Sequence, residues 1–129
     1  VVIATDWDPD GIGHIASLLI NLFYRWFPDV IKNNQLHILI TPLVSIEIKG
    51  KKNYFYSINE FRNFEKSGAQ FGKVRYLKGL GSLSRDDWEW VMAQRRMFRI
   101  YHDRSARRYM DIAFGNSSQL RKNWLQNVK

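Results

Sequence analysis

The residues of this chain best suited to chemistry lie at its start, VVIATDWDPDGIGHI (residues 1–15), where Asp6, Asp8 and Asp10 alternate and run into Gly11. In an extended chain residues i, i+2 and i+4 point to one face, so this spacing predicts three carboxylates side by side at a strand end. Crowded carboxylates repel and raise one another's pKa unless a cation sits among them, and a set of hard oxygen ligands suits Mg²⁺ or Ca²⁺. Two other readings use the same residues. One is a solvated acidic turn, since Asp, Pro and Gly are all common in loops. The other is an EF-hand loop, which shares the aspartates and the glycine. That loop requires a bidentate glutamate at its twelfth position, where this chain has Ser17, and a helix where this chain has an apolar, β-branched run.

The second group of chemical interest is basic. The 129 residues carry a formal net charge of +8, and residues 94–108 hold Arg95, Arg96, Arg99, Arg104, Arg107 and Arg108 interleaved with Phe98 and Tyr101. Clustered cations attract a polyanion such as nucleic acid, although a solvated helix face has the same composition. Lys78 opens KGLGSLS (residues 78–84), whose two glycines permit a tight turn or the close approach of a large ligand. His14 falls at a helix start, where it can meet a phosphate or carboxylate, or simply cap and pack.

The elements that position these groups follow from hydrophobic period. Residues 1–5 form a continuous apolar run, as in a buried strand of a parallel sheet. Ile15, Leu18, Leu19, Leu22, Phe23 and Trp26 recur at three and four, the stripe of an amphipathic helix that packs on the sheet and ends at Pro28. Further strands are expected at 35–41, at 73–78 and at 97–102, with a hairpin of 43–48 and 53–57 turning at 49–52. Ser57 or Asn59 caps a helix carrying Phe61 and Phe64, and Ser84 caps one carrying Trp88, Val91 and Met92, whose N-terminus Asp86 and Asp87 favour. Two last helices are expected at 105–114 and from 117 or 118 to 126. This alternation predicts a single α/β domain over residues 1–129 with a mainly parallel sheet and its ligand site at the strand carboxyl ends.

Composition narrows the class. Hydrophobic residues make up 45% and aromatics 15%, too many for a disordered chain, so a core is expected. Without cysteines there is neither a disulfide framework nor a thiolate metal site, which suits a reducing, cytoplasmic setting. Residues 15–27, the longest apolar stretch, are too short and too interrupted to span a bilayer. The sequence starts without methionine or a basic signal region, which predicts a piece of a longer chain.

Four stretches, DPDGIGHI (residues 8–15), TPLV (41–44), RYLKGLGSLS (75–84) and FGNSSQLRKNWL (114–125), resemble in order and spacing the landmarks of the Toprim domain of type II DNA topoisomerases. The layout is similar to the small subunit of T-even-like phage topoisomerases and to the C-terminal Toprim part of gyrase B. The resemblance implies a partial, Rossmann-like Toprim fold with its first strand, the one ending in EGDSA, missing from this chain. It further implies Mg²⁺ held by Asp6, Asp8 and Asp10, and double-stranded DNA contacted by Arg75, Lys78, Arg95, Arg96 and His14. ATP would be bound by a different domain or subunit. The catalytic tyrosine would come from a breakage-reunion subunit, and a glutamate either from another polypeptide, an ATPase-bearing large subunit, or from an upstream part of a longer chain of which this is a piece. No catalytic residue is nominated within this chain, and it is not expected to be active alone. Relative to the family's DGSHI, Gly11-Ile12-Gly13-His14 inserts one residue. A Toprim nuclease or primase-like protein shares the fold but would lack KGLG and RKNW, and a DNA-binding module with a structural ion is a third reading.

Overall fold

A computed structural model describes residues 1–127. In order, the chain forms β1 (Val2–Ile3), a π-helical segment (Gly11–Ala16) running directly into α1 (Ser17–Trp26), α2 (Pro28–Lys32), β2 (His37–Leu39), β3 (Val44–Ile48) and β4 (Lys51–Phe55). There follow α3 (Ile58–Lys66), β5 (Val74–Tyr76), a 3₁₀ turn (Leu80–Ser82), α4 (Arg85–Gln94), β6 (Met97–Arg99), α5 (Ala106–Phe114) and α6 (Ser118–Asn127). The α/β class expected from the sequence is what the chain adopts.

The strand directions differ from expectation. The strands form two three-stranded sheets, ordered β1-β2-β6 and β4-β3-β5. Among the described residues, only the β1–β2 pair is parallel, while β2–β6, β3–β4 and β3–β5 are antiparallel. Connection length explains two of these pairings. A parallel pair needs a long crossover, which α1 and α2 supply between β1 and β2, whereas β3 and β4 are joined by two residues and can only reverse. Those two residues, Lys49 (φ 49°) and Gly50 (φ 75°), both take positive φ, as a two-residue hairpin turn demands. The turn is thus shorter than the expected 49–52, and Lys51 and Lys52 belong to β4.

Each sheet has its own core. Around the first, Ile3, Ala16, Ile31, Leu36 and Ile38 are buried, with Leu19, Ile20, Phe23 and Tyr24 packed against them. The apolar stripe read on α1 therefore divides. Leu19 and Phe23, joined by Ile20 and Tyr24, face the core, whereas Ile15, Leu18, Leu22 and Trp26 are exposed. The second core is Val44, Ile46, Phe55 and Phe61, closed by aromatic contacts such as Phe55–Phe64 at 5.3 Å. Ser57 caps α3 by accepting the Glu60 N–H at 3.0 Å, settling the choice between Ser57 and Asn59. The buried run Ile40, Thr41 and Pro42 passes from the first core to the second. No helix among the described residues is long and apolar enough to cross a membrane.

Candidate functional site

β1 ends at Ile3, and after Ala4 and the buried Thr5 the chain brings Asp6, half-buried, to the carboxyl side of the strand. Asp6 is where distant parts of the sequence meet. Its Oδ1 accepts the Leu80 N–H at 2.7 Å, so the KGLG turn closes directly onto the carboxylate. Gly79 has φ +102°, and a Cβ there would come within 2.8 Å of Asp6 Oδ2. A Cβ on Gly11 would overlap the Asp6 carbonyl oxygen. Both glycines are therefore required by one aspartate, on two separate grounds at Gly79: the positive φ and the missing side chain.

The three aspartates do not share the face of an extended strand. Asp8 lies in a bend, and its Oδ1 accepts the Gly11 N–H at 2.7 Å, while the Ile12 N–H donates to the Asp8 carbonyl at 2.9 Å. Asp8 is thus a helix cap, Pro9 supplies the fixed φ of a first helical position, and Asp10 is already helical at φ −74°, ψ −44°. Capping has overridden the alternation, and Asp10 stands exposed on the first turn. Among the described residues, no three His, Asp or Glu side chains converge into a group that could hold a metal ion. The donor set still fits Mg²⁺ in an open site, because that ion commonly takes one or two carboxylates and fills its other positions with water and phosphate oxygens. Asp6 and Asp8 each have one oxygen held by a backbone N–H and a second carboxylate oxygen to offer.

Residues Gly11–Ala16 form the π-helical segment, and His14 stands exposed on it. Lys78 is exposed beside a groove of about 340 Å³ whose lining includes Trp7, Asp8, Tyr76 and Gly79. Arg95 ends α4 in the left-handed region at φ 49°, exposed, and the Arg96 guanidinium lies over the Tyr56 ring at 4.1 Å. Arg104, Arg107 and Arg108 line a different groove, with Leu120 and Trp124 between α5 and α6. The basic run of the sequence is therefore not one surface.

Arg75 occupies a structural position. It donates to Asp87 Oδ2 at 3.1 Å and to the Ser82 carbonyl at 3.0 Å, so its guanidinium is engaged within the chain. Asp87, which is fully buried, also accepts from Lys52 Nζ at 2.9 Å, the Tyr54 hydroxyl at 2.7 Å and the Ser84 N–H at 2.8 Å. Burial pushes its pKa up, but the hydrogen bonds from Lys52, Ser84 and Tyr54 outweigh burial and hold the carboxyl well below the usual carboxylate range. Burial and the bond to Asp87 push the Tyr54 phenol up. Sequence reasoning placed Asp87 only as a helix N-terminal acid. Its Ser84-x-x-Asp87 capping box was legible, but its partners on β4 and β5 were not.

The family described as the C-terminal associated domain of TOPRIM matches residues 39–129. The chain is 30% identical over 132 aligned residues to the B subunit of DNA topoisomerase 4 from Mycoplasma pneumoniae, covering 98% of this chain and 20% of that protein. It is 28% identical to the DNA topoisomerase small subunit of Enterobacteria phage T4, covering 97% of this chain and 77% of that one. A solved Plasmodium falciparum topoisomerase II DNA-binding, cleavage and re-ligation domain superposes with a TM-score of 0.80 at 29% identity, over 98% of this chain and 18% of that chain. The chain thus spans a fifth of the Mycoplasma relative's length and about three quarters of the phage subunit's. With the DxDxDG and KGLG stretches meeting at Asp6 and this match over residues 39–129, the chain belongs to the family of the C-terminal associated domain of TOPRIM, and its relatives include DNA topoisomerase subunits.

Proposed function

We propose that residues 1–129 act as one unit, the Mg²⁺-binding part of an ATP-dependent type II DNA topoisomerase that supports double-strand cleavage and religation by a tyrosine on a partner subunit. The observation that carries this is the convergence of DxDxDG and KGLG on the Asp6 carboxylate. In the reaction a tyrosine oxygen bonds to a DNA phosphorus as the bond to the 3′ oxygen breaks, and a bound Mg²⁺ would supply charge stabilisation on the phosphate and leaving oxygen. Asp6 and Asp8 would hold the ion, and Asp10, on the first helical turn, would add negative potential without a direct bond. Lys78 would contact a phosphate, giving affinity that is independent of sequence and falls with salt. Double-stranded DNA, an ATPase-bearing large subunit and a breakage-reunion subunit are the partners this reading requires.

The test is Asp6→Ala in the assembled enzyme. Cleavage should fall by at least about a hundredfold, the scale of removing one group that stabilises transition-state charge. Unchanged Mg²⁺-dependent cleavage would overturn the assignment.

A further inference from the structure

The turn that meets Asp6 is held from behind by charged groups that touch neither metal nor DNA in the proposed reaction. We infer that Arg75, fixed by the buried Asp87, is a positioning residue for the Asp6 carboxylate, an inference that rests on the metal-binding reading above.

Hydrogen bonds link the two carboxylates, joined by covalent steps within Ser82 and across the Gly79–Leu80 peptide. Asp87 holds Arg75 through Oδ2 at 3.1 Å, and the other arm of the Arg75 fork donates to the Ser82 carbonyl at 3.0 Å. Ser82 in turn donates to the Gly79 carbonyl through its hydroxyl at 2.7 Å and its N–H at 3.0 Å, closing the turn. The Leu80 N–H leaves that closed turn to meet Asp6 Oδ1 at 2.7 Å. Lys52 and Tyr54 hold the remaining carboxylate oxygen of Asp87, so the anchor cannot swing. The turn itself is short, contains two glycines and has little burial of its own; its geometry is fixed from Arg75. Groups that orient a metal ligand typically change metal affinity about ten- to a hundredfold when removed.

Arg75→Lys separates positioning from stability. A lysine keeps a positive charge for Asp87 but lacks the planar fork that reaches Asp87 and Ser82 together. Mn²⁺, detected by electron paramagnetic resonance, is titrated into the intact protein, and hydrogen exchange is followed over residues 79–83. Asp6→Asn should abolish binding. Arg75→Lys should weaken Mn²⁺ binding about tenfold and speed exchange over 79–83, with the melting temperature little changed. If Asp6→Asn abolishes binding but Arg75→Lys alters neither binding nor exchange, the inference is overturned and the metal reading stands. If Asp6→Asn leaves Mn²⁺ binding intact, the metal reading falls, and the inference with it. Asp87→Glu, which keeps the charge but shifts the anchor, should likewise weaken Mn²⁺ binding and speed exchange over 79–83, with a lowered melting temperature because the site is fully buried; wild-type binding and exchange in both variants would likewise overturn it.

Discussion

At the scale of residues, the site is decided by what Asp6 allows beside it. Gly79→Ala would place a methyl group against the Asp6 carboxylate and hold a side chain at φ +102°. We expect a stability loss of about 1–3 kcal/mol from the backbone, and a Mn²⁺ affinity lowered about tenfold as Asp6 turns away from Leu80. A thermal melt and a Mn²⁺ titration read the two effects separately, and wild-type values in both would refute the cradle. The aspartates were legible in the sequence, but their arrangement was not. Asp6, Asp8 and Asp10 carry a strand-like alternation, while Asp8-Pro9-Asp10-Gly11 carries a helix-start signal, and the hydrogen bond from Gly11 to Asp8 shows the second winning. The Asp6–Leu80 hydrogen bond joins residues 74 positions apart, and no local pattern encodes it.

At the scale of elements, the Asp87 network ties β4, β5 and α4 together, and its charge makes that tie pH-dependent. Because the folded carboxyl is held below its unfolded value, its contribution is present above the unfolded carboxylate pKa and is lost as pH falls towards the folded one. Asp87→Asn should cost about 3 kcal/mol near neutrality, the low end for a broken buried pair because the Lys52 and Arg75 side chains stay 36% and 35% exposed. Urea melts from neutral pH down to strong acid should show the gap between variant and wild type closing at low pH, and a constant gap would count against the assignment. The end of α4 bears the basic pair. Replacing Arg95 and Arg96 together by alanine should weaken DNA binding of the assembled enzyme equally for unrelated sequences and reduce the salt slope by about 0.9 for each phosphate no longer neutralised. An unchanged slope would leave Arg96 as a partner of Tyr56 alone. The helix and strand positions were largely legible because their periods are local. The sheet directions were not, because they depend on which strands meet.

At the scale of the whole molecule, the exposed Ile15, Leu18, Leu22 and Trp26 of the first helix, together with exposed Val1, Val2 and Phe27, leave apolar surface on a chain of net charge +8. Apolar attraction and like-charge repulsion oppose one another, and salt screens only the second. Light scattering of the isolated chain should therefore show association growing with sodium chloride, and a monodisperse monomer at high salt would contradict this. The two cores give the site a further property. Asp6 follows the strand of the first core, and Leu80 belongs to the turn after β5, the strand that completes the second sheet. A small relative displacement of the two halves would separate donor from carboxylate while each half kept its own packing. If Asp6 holds the metal as proposed, its setting would then register the alignment of the two halves.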